Sequence, residues 1–170
     1  MNPLLKGKSP PCPLEERTIL NHLESSSSGL PTTDGSALIE SNPVDEECAG
    51  WLLRTVGPAE VSKRLLRMFN TAPGPDKVCY NDLKRIDPGC LTLSTIYTRC
   101  LRTRKIPKGW KESETILLHK GGPVGDISNW RPLAMGNCVA KLYAAVLADR
   151  IAVWAKKEKQ LSRAKGLPDR

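Results

Sequence analysis

The apolar positions in the second half of the chain change period twice, and each change marks an element. From Val139 to Trp154 they fall at Val139, Leu142, Tyr143, Val146, Leu147, Ile151 and Trp154, the spacing of one helical face. A long amphipathic helix follows, with Asn137 as its N-cap. Upstream, Ile116-Leu117-Leu118 and Leu133 to Met135 are short apolar runs on either side of Gly121-Gly122-Pro123-Val124-Gly125. They predict two strands of a hairpin, with Pro132 suited to the first residue of the second.

Two further helices precede the hairpin. Pro58 suits a first helical turn and Glu60 favours the positive helix end, while Val61, Leu65, Met68 and Phe69 recur on one face. This helix should end near Asn70, because two prolines and a glycine in Ala72-Pro73-Gly74-Pro75-Asp76 cannot continue it. Asp87-Pro88 opens the second helix, with Leu93, Ile96, Tyr97, Cys100 and Leu101 facing inward. Its last turns carry Arg99, Arg102, Arg104 and Lys105, which complement the negative helix end and leave both a solvated face and a phosphate contact open.

Before Val56 the pattern fades. Residues 1–56 mix proline, serine and acids, with too little apolar surface to offset an ordering entropy of about 1 to 2 kcal/mol per residue. A disordered acidic leader is expected, within which Leu14 to Leu23 could form one short helix. Gly7-Lys8-Ser9 lacks the upstream glycine of a phosphate-binding loop, and Pro10-Pro11 blocks the helix that should follow. The expected fold is α+β and mostly helical: a leader over 1–56, a folded segment over 57–166, and a short cut tail over 167–170.

Charge narrows the partners. Residues 1–60 hold 4 Lys and Arg against 9 Asp and Glu, whereas residues 61–170 hold 22 against 9, a net +13. Such an excess displaces counterions condensed on nucleic acid. The chain has no run of about 18 apolar residues to span a bilayer and no apolar signal segment at its start, so no membrane partner and an intracellular location are expected. Six cysteines without a Cys-x-x-Cys pair, beside only His22 and His119, argue against zinc. Cys100 and Cys138 read as reduced packing residues.

The candidate chemistry lies at the hairpin. Lys120 ends its first strand and Arg131 begins its second, so pairing brings an ammonium and a guanidinium to one mouth, where they can hold a phosphate. The plain alternative is two solvated charges, with Asp126 paired to either. Trp110 and Trp130 read as packing aromatics, with base stacking the lesser alternative. Lys141, beside the apolar stripe of the long helix, is either a rim charge or a backbone contact.

Four motifs then come in order: APGPD (Ala72 to Asp76), IPKGWK (Ile106 to Lys111), ILLHKGG (Ile116 to Gly122) and NWRPLAM (Asn129 to Met135). Together they resemble the N-terminal fingers of reverse transcriptases from non-LTR, LINE-type retrotransposons, over roughly Pro58 to Gly166. The resemblance implies part of the fingers of a right-hand RNA-directed DNA polymerase. Lys120 and Arg131 would contact the triphosphate of an incoming deoxynucleotide. Gly74, Asp76, Lys77 and Lys141 would lie on the RNA template, with Lys84 and Arg85 as general phosphate contacts. Implied partners are RNA template, DNA primer, deoxynucleotide triphosphate and a palm domain, and the implied location is nuclear.

The family's chemistry needs two metal ions held by palm carboxylates. This chain has no adjacent Asp-Asp pair, and Asp45-Glu46-Glu47 falls in the leader with no strand-turn-strand pattern around it. No catalytic residue, metal site or cofactor is therefore expected in this segment, magnesium being expected only of the full-length enzyme, and the chain alone should not polymerise. The tail departs from the family as well, since Arg163 to Pro168 lacks the Gln-x-Gly-Phe-like motif, as in a truncated fragment. Two alternatives stand beside this reading: a basic nucleic-acid-binding module without chemistry, and a decayed reading frame with no stable fold.

Overall fold

Leu142 and Val146, one turn apart on the long helix, have no exposed surface, and the other helices gather around them. The computed structural model describes residues 10–27 and 46–157. In chain order these form α1 (Glu16–Ser27), α2 (Glu46–Leu53), α3 (Pro58–Arg67), α4 (Tyr80–Ile86), α5 (Leu91–Thr103), β1 (Ser113–His119), β2 (Trp130–Gly136) and α6 (Cys138–Lys157). Short 3-10 turns at Lys108–Lys111 and Ile127–Asn129 lead into the two strands. The class is α+β with mostly helix. Helix α6 packs on α2, α3 and α4, and α3 also meets α4 and α5.

Within α3, Pro58 sits in the first turn and Val61 and Leu65 are buried, as the spacing predicts. Phe69 departs from the expected face: the helix ends at Arg67, so Phe69 leaves the helical stripe and is 87% exposed. In α5, Leu93, Tyr97 and Cys100 are buried, but Ile96 lies on the flank of that stripe and is exposed. Its cap also differs in detail. Cys90 holds the N-cap position in a left-handed conformation (φ 53°), and Asp87 reaches forward from three residues upstream to accept from the Leu91 and Leu93 amides at 3.0 and 2.9 Å.

Within residues 1–56 the described stretches form two helices, α1 and α2. Helix α1 overlaps the Leu14 to Leu23 stretch but starts and ends later. The backbone at the end of α2 and just after it is held from a distance: Arg150 donates to the carbonyls of Leu52, Arg54 and Thr55. The remaining leader residues, including Gly7-Lys8-Ser9 and Asp45, and the tail from residue 158 lie outside the described residues. Helix α4 was not anticipated. At seven residues it is too short to show a period, and a capping box starts it, with the Cys79 amide donating to Asp82 at 3.0 Å.

β1 and β2 pair antiparallel from Ser113 opposite Gly136 to His119 opposite Trp130. Pro132 is the third residue of its strand rather than the first, facing Leu117. In a two-stranded ribbon each strand keeps a free edge, and a proline there removes no ladder bond. Asn137 caps α6 only through its backbone, its carbonyl accepting from the Lys141 amide at 3.0 Å. Its side-chain amide instead donates to the Gly109 carbonyl at 2.9 Å, tying α6 to the turn before β1. Ile151 is exposed because Arg150, one residue earlier, takes the inward position at that level of the helix.

Candidate nucleic-acid interface

The strand register decides which side chains share a face. Opposite residues of an antiparallel pair point the same way, as do residues two apart. Ile116 and Leu118 therefore share a face with Leu133, Arg131 and Met135. The Lys120 amide donates to the Asn129 carbonyl at 2.8 Å, which extends the ladder by one pair and sets Lys120 on the Arg131 face. The opposite face carries Leu117 and His119, with the His119 ring 4.8 Å from that of Trp130.

Trp130 is buried, and its indole N–H donates to the Val124 carbonyl at 3.0 Å, anchoring the glycine-rich loop. Gly121 and Gly122 in that loop have φ of 108° and 88°, a region that favours glycine. Trp110 is half-buried, its ring 5.9 Å from Tyr97 edge-on and 5.8 Å from Tyr143. Both tryptophans thus serve packing, in line with the sequence reading.

Arg131 is exposed and lines a groove of about 570 Å³. Arg67 and Lys141 share that groove, its floor includes Ile116, Leu118, Leu133 and Met135, and Phe69 stands at its rim. Among the described residues no carboxylate lines it. Lys120 does not line the groove, because its ammonium turns back to the Ser128 carbonyl at 3.1 Å. Asp126 pairs with neither cation. Its carboxylate accepts from the Ser128 amide at 2.9 Å, and that bond holds its pKa below the ordinary carboxylate range.

Of the residues assigned to the template, Gly74 is buried, Lys141 is half-buried, and Asp76 and Lys77 are exposed. Gly74 is buried against the start of α6, where a Cβ would lie 2.5 Å from Asn137 Oδ1 and 2.6 Å from the Gly136 carbonyl carbon. Its smallness serves close packing. Asp76 accepts from the Val78 amide at 3.1 Å, closing a local turn. Lys77 is exposed with φ 59°, and its ammonium stands 3.4 Å from Glu114, a surface pair worth about 0 to 1 kcal/mol. The Lys141 stem runs past Gly136, so Gly74 and Lys141 meet at the same joint between β2 and α6. Lys84 and Arg85 are engaged locally, with the Met68 carbonyl and Asp82.

Sequence reasoning missed Arg67 and the exposed Phe69 as parts of this site. Their signal was present, as a cation and an aromatic straddling a helix end, but only the tertiary fold brings them to the hairpin. Among the described residues no three or more His, Cys, Asp or Glu gather as metal ligands. No described helix is long and apolar enough to cross a membrane. Compared with known proteins, the chain matches no family model, and no curated protein is significantly similar to it.

Proposed function

We propose that the chain is the nucleotide- and template-binding fingers portion of an RNA-directed DNA polymerase, related to reverse transcriptases of non-LTR retrotransposons. The observation that carries this reading is the hairpin register, which sets Lys120 and Arg131 on one face beside a groove that no described carboxylate lines. The planar Arg131 fork suits two phosphate oxygens, and Lys120, released from the Ser128 carbonyl, adds a compact charge. The apolar floor suits a base, and Lys141 and Arg67 flank it as backbone contacts. Attack by a primer 3′ oxygen needs metal-bearing carboxylates, which a palm would supply. RNA template, DNA primer and palm are the partners, and the nucleus is the place of work under this reading.

Equilibrium binding of a fluorescent deoxynucleotide triphosphate tests the reading. Arg131→Ala and Lys120→Ala should each weaken binding about tenfold, the worth of one charge-assisted contact. Wild-type affinity in both variants refutes it. Primer extension on RNA with magnesium should show no incorporation. The net +13 of residues 61–170 favours a second reading, a binding module indifferent to triphosphate. In that case excess deoxynucleotide would fail to compete with RNA beyond its general ionic strength effect.

A further inference from the structure

We infer that a single nucleic-acid strand runs beyond the hairpin groove, across the start of α6 and onto the basic end of α5. This extends the proposed binding function and rests on it. Four concavities join end to end through shared residues. Lys141 lines both the hairpin groove and a hollow of about 450 Å³ floored by Trp110, Tyr143 and Leu147. Ile106 lines that hollow and a third, of about 560 Å³, beside Lys105 and Arg99. Arg99 in turn lines the third and a fourth, also about 560 Å³, together with Arg102.

Among the described residues no carboxylate lines any of the four. The cations that line them come at intervals, Arg131 with Arg67 in the hairpin groove, then Lys141, Lys105, Arg99 and Arg102, with apolar or aromatic surface between. That alternation suits an unpaired strand, whose phosphates take the cations while its bases lie on apolar and aromatic floors. A duplex would offer phosphates alone.

The competing account makes Arg99 and Arg102 solvated charges that complement the negative end of α5. Its weakness is the composition. Residues 88–111 hold six Lys and Arg and no Asp or Glu, whereas solvated faces mix both signs. The helix end supplies only about half a negative charge. Arg99 and Arg102 are exposed and form no ion pair with any described carboxylate.

The test measures binding of the full chain to fluorescein-labelled oligo(U) and oligo(dT) of about 5 and about 20 nucleotides, near the lower limit of a single binding fold's span and beyond its upper limit. The double variant Arg99→Ala/Arg102→Ala should bind the long strands about tenfold more weakly, with a salt slope shallower by about 1.4, the share of two single-strand phosphate contacts. Its affinity for the short strands should be unchanged. Arg99→Lys/Arg102→Lys should recover most of the loss, and circular dichroism melts should match wild type. RNA and DNA should lose alike, because phosphates carry the contact. An unchanged long-strand affinity and slope overturns the track while leaving the hairpin reading intact. An Arg131→Ala variant that binds both lengths normally overturns the hairpin reading instead.

Discussion

The guanidinium of Arg150 grips the Glu60 carboxylate through two hydrogen bonds, Nε to Oε1 at 2.7 Å and Nη2 to Oε2 at 2.8 Å. Its other N–H groups go to the carbonyls of Leu52, Arg54 and Thr55 at 2.9 to 3.0 Å, so all five donors are used. With Arg150 only 2% exposed, a buried charge is tolerated because it is fully satisfied. One side chain thereby fastens α6 to the first turn of α3 and to the connection that leads out of α2. The surface that carries the hairpin site is built on the opposite end of this same α6.

Replacing Arg150 with alanine should cost about 3 to 5 kcal/mol, because it leaves a carboxylate and three carbonyls without their donor. Urea unfolding measures the loss, and amide exchange should accelerate most in α2. Arg150→Lys should recover little of it. An ammonium cannot span five acceptors laid out for a planar fork.

Acid should act on the same pair. Burial pushes the Glu60 carboxyl up, but the hydrogen bond and charge of Arg150 outweigh it and hold the group below its ordinary 4.5. The unfolded chain then takes up the proton first as pH falls. The pair's stabilisation is therefore full above pH 4.5 and drains away as pH drops through the lowered value. Glu60→Gln lacks this dependence, so the stability gap between wild type and variant should narrow from pH 7 to about pH 3 in urea melts.

Alkali should act in the opposite sense on the tyrosines. Burial raises all three: Tyr80 to about 12, with Tyr97 and Tyr143 also pushed up. The native chain keeps these protons after the unfolded chain begins to lose them near the ordinary 10.0. Their contribution is whole below that pH and is lost as pH rises through the folded values. Ultraviolet titration at pH 10 should show a much weaker phenolate band in the native protein than in urea, where about half of the tyrosines are ionised.

How much of this was legible beforehand depended on how local the cause was. The hairpin and α6 were readable because the apolar period switches from strand to helix across a glycine-rich turn. The shared face of Lys120 and Arg131 followed from pairing alone. Arg150 was not readable, since a charge within a helix looks solvated and its partners lie 90 or more positions earlier in the chain. Phe69 was misplaced because two residues decide whether a helix still holds it. The bond from Lys120 to Ser128 and the gathering of Arg67 with Lys141 depend on tertiary placement that no sequence period records.

Gly74 and Lys77 stand three residues apart in one turn, and a single pair of variants should separate packing from binding there. Gly74→Ala would drive a methyl to within 2.7 Å of the Asn137 amide nitrogen and 2.6 Å of the Gly136 carbonyl carbon, and these are backbone atoms that cannot swing aside. Such overpacking should cost about 1 to 3 kcal/mol in urea melts and disturb the joint on which Lys141 rests. Lys77→Ala gives up only an exposed pair at 3.4 Å, so its melt should match wild type within about 0.5 kcal/mol. If Lys77 faces a template, that same variant should weaken RNA binding with a shallower salt slope, by about 0.7 for one lost phosphate contact. Unchanged affinity would restrict the turn to the packing role that Gly74 already fills.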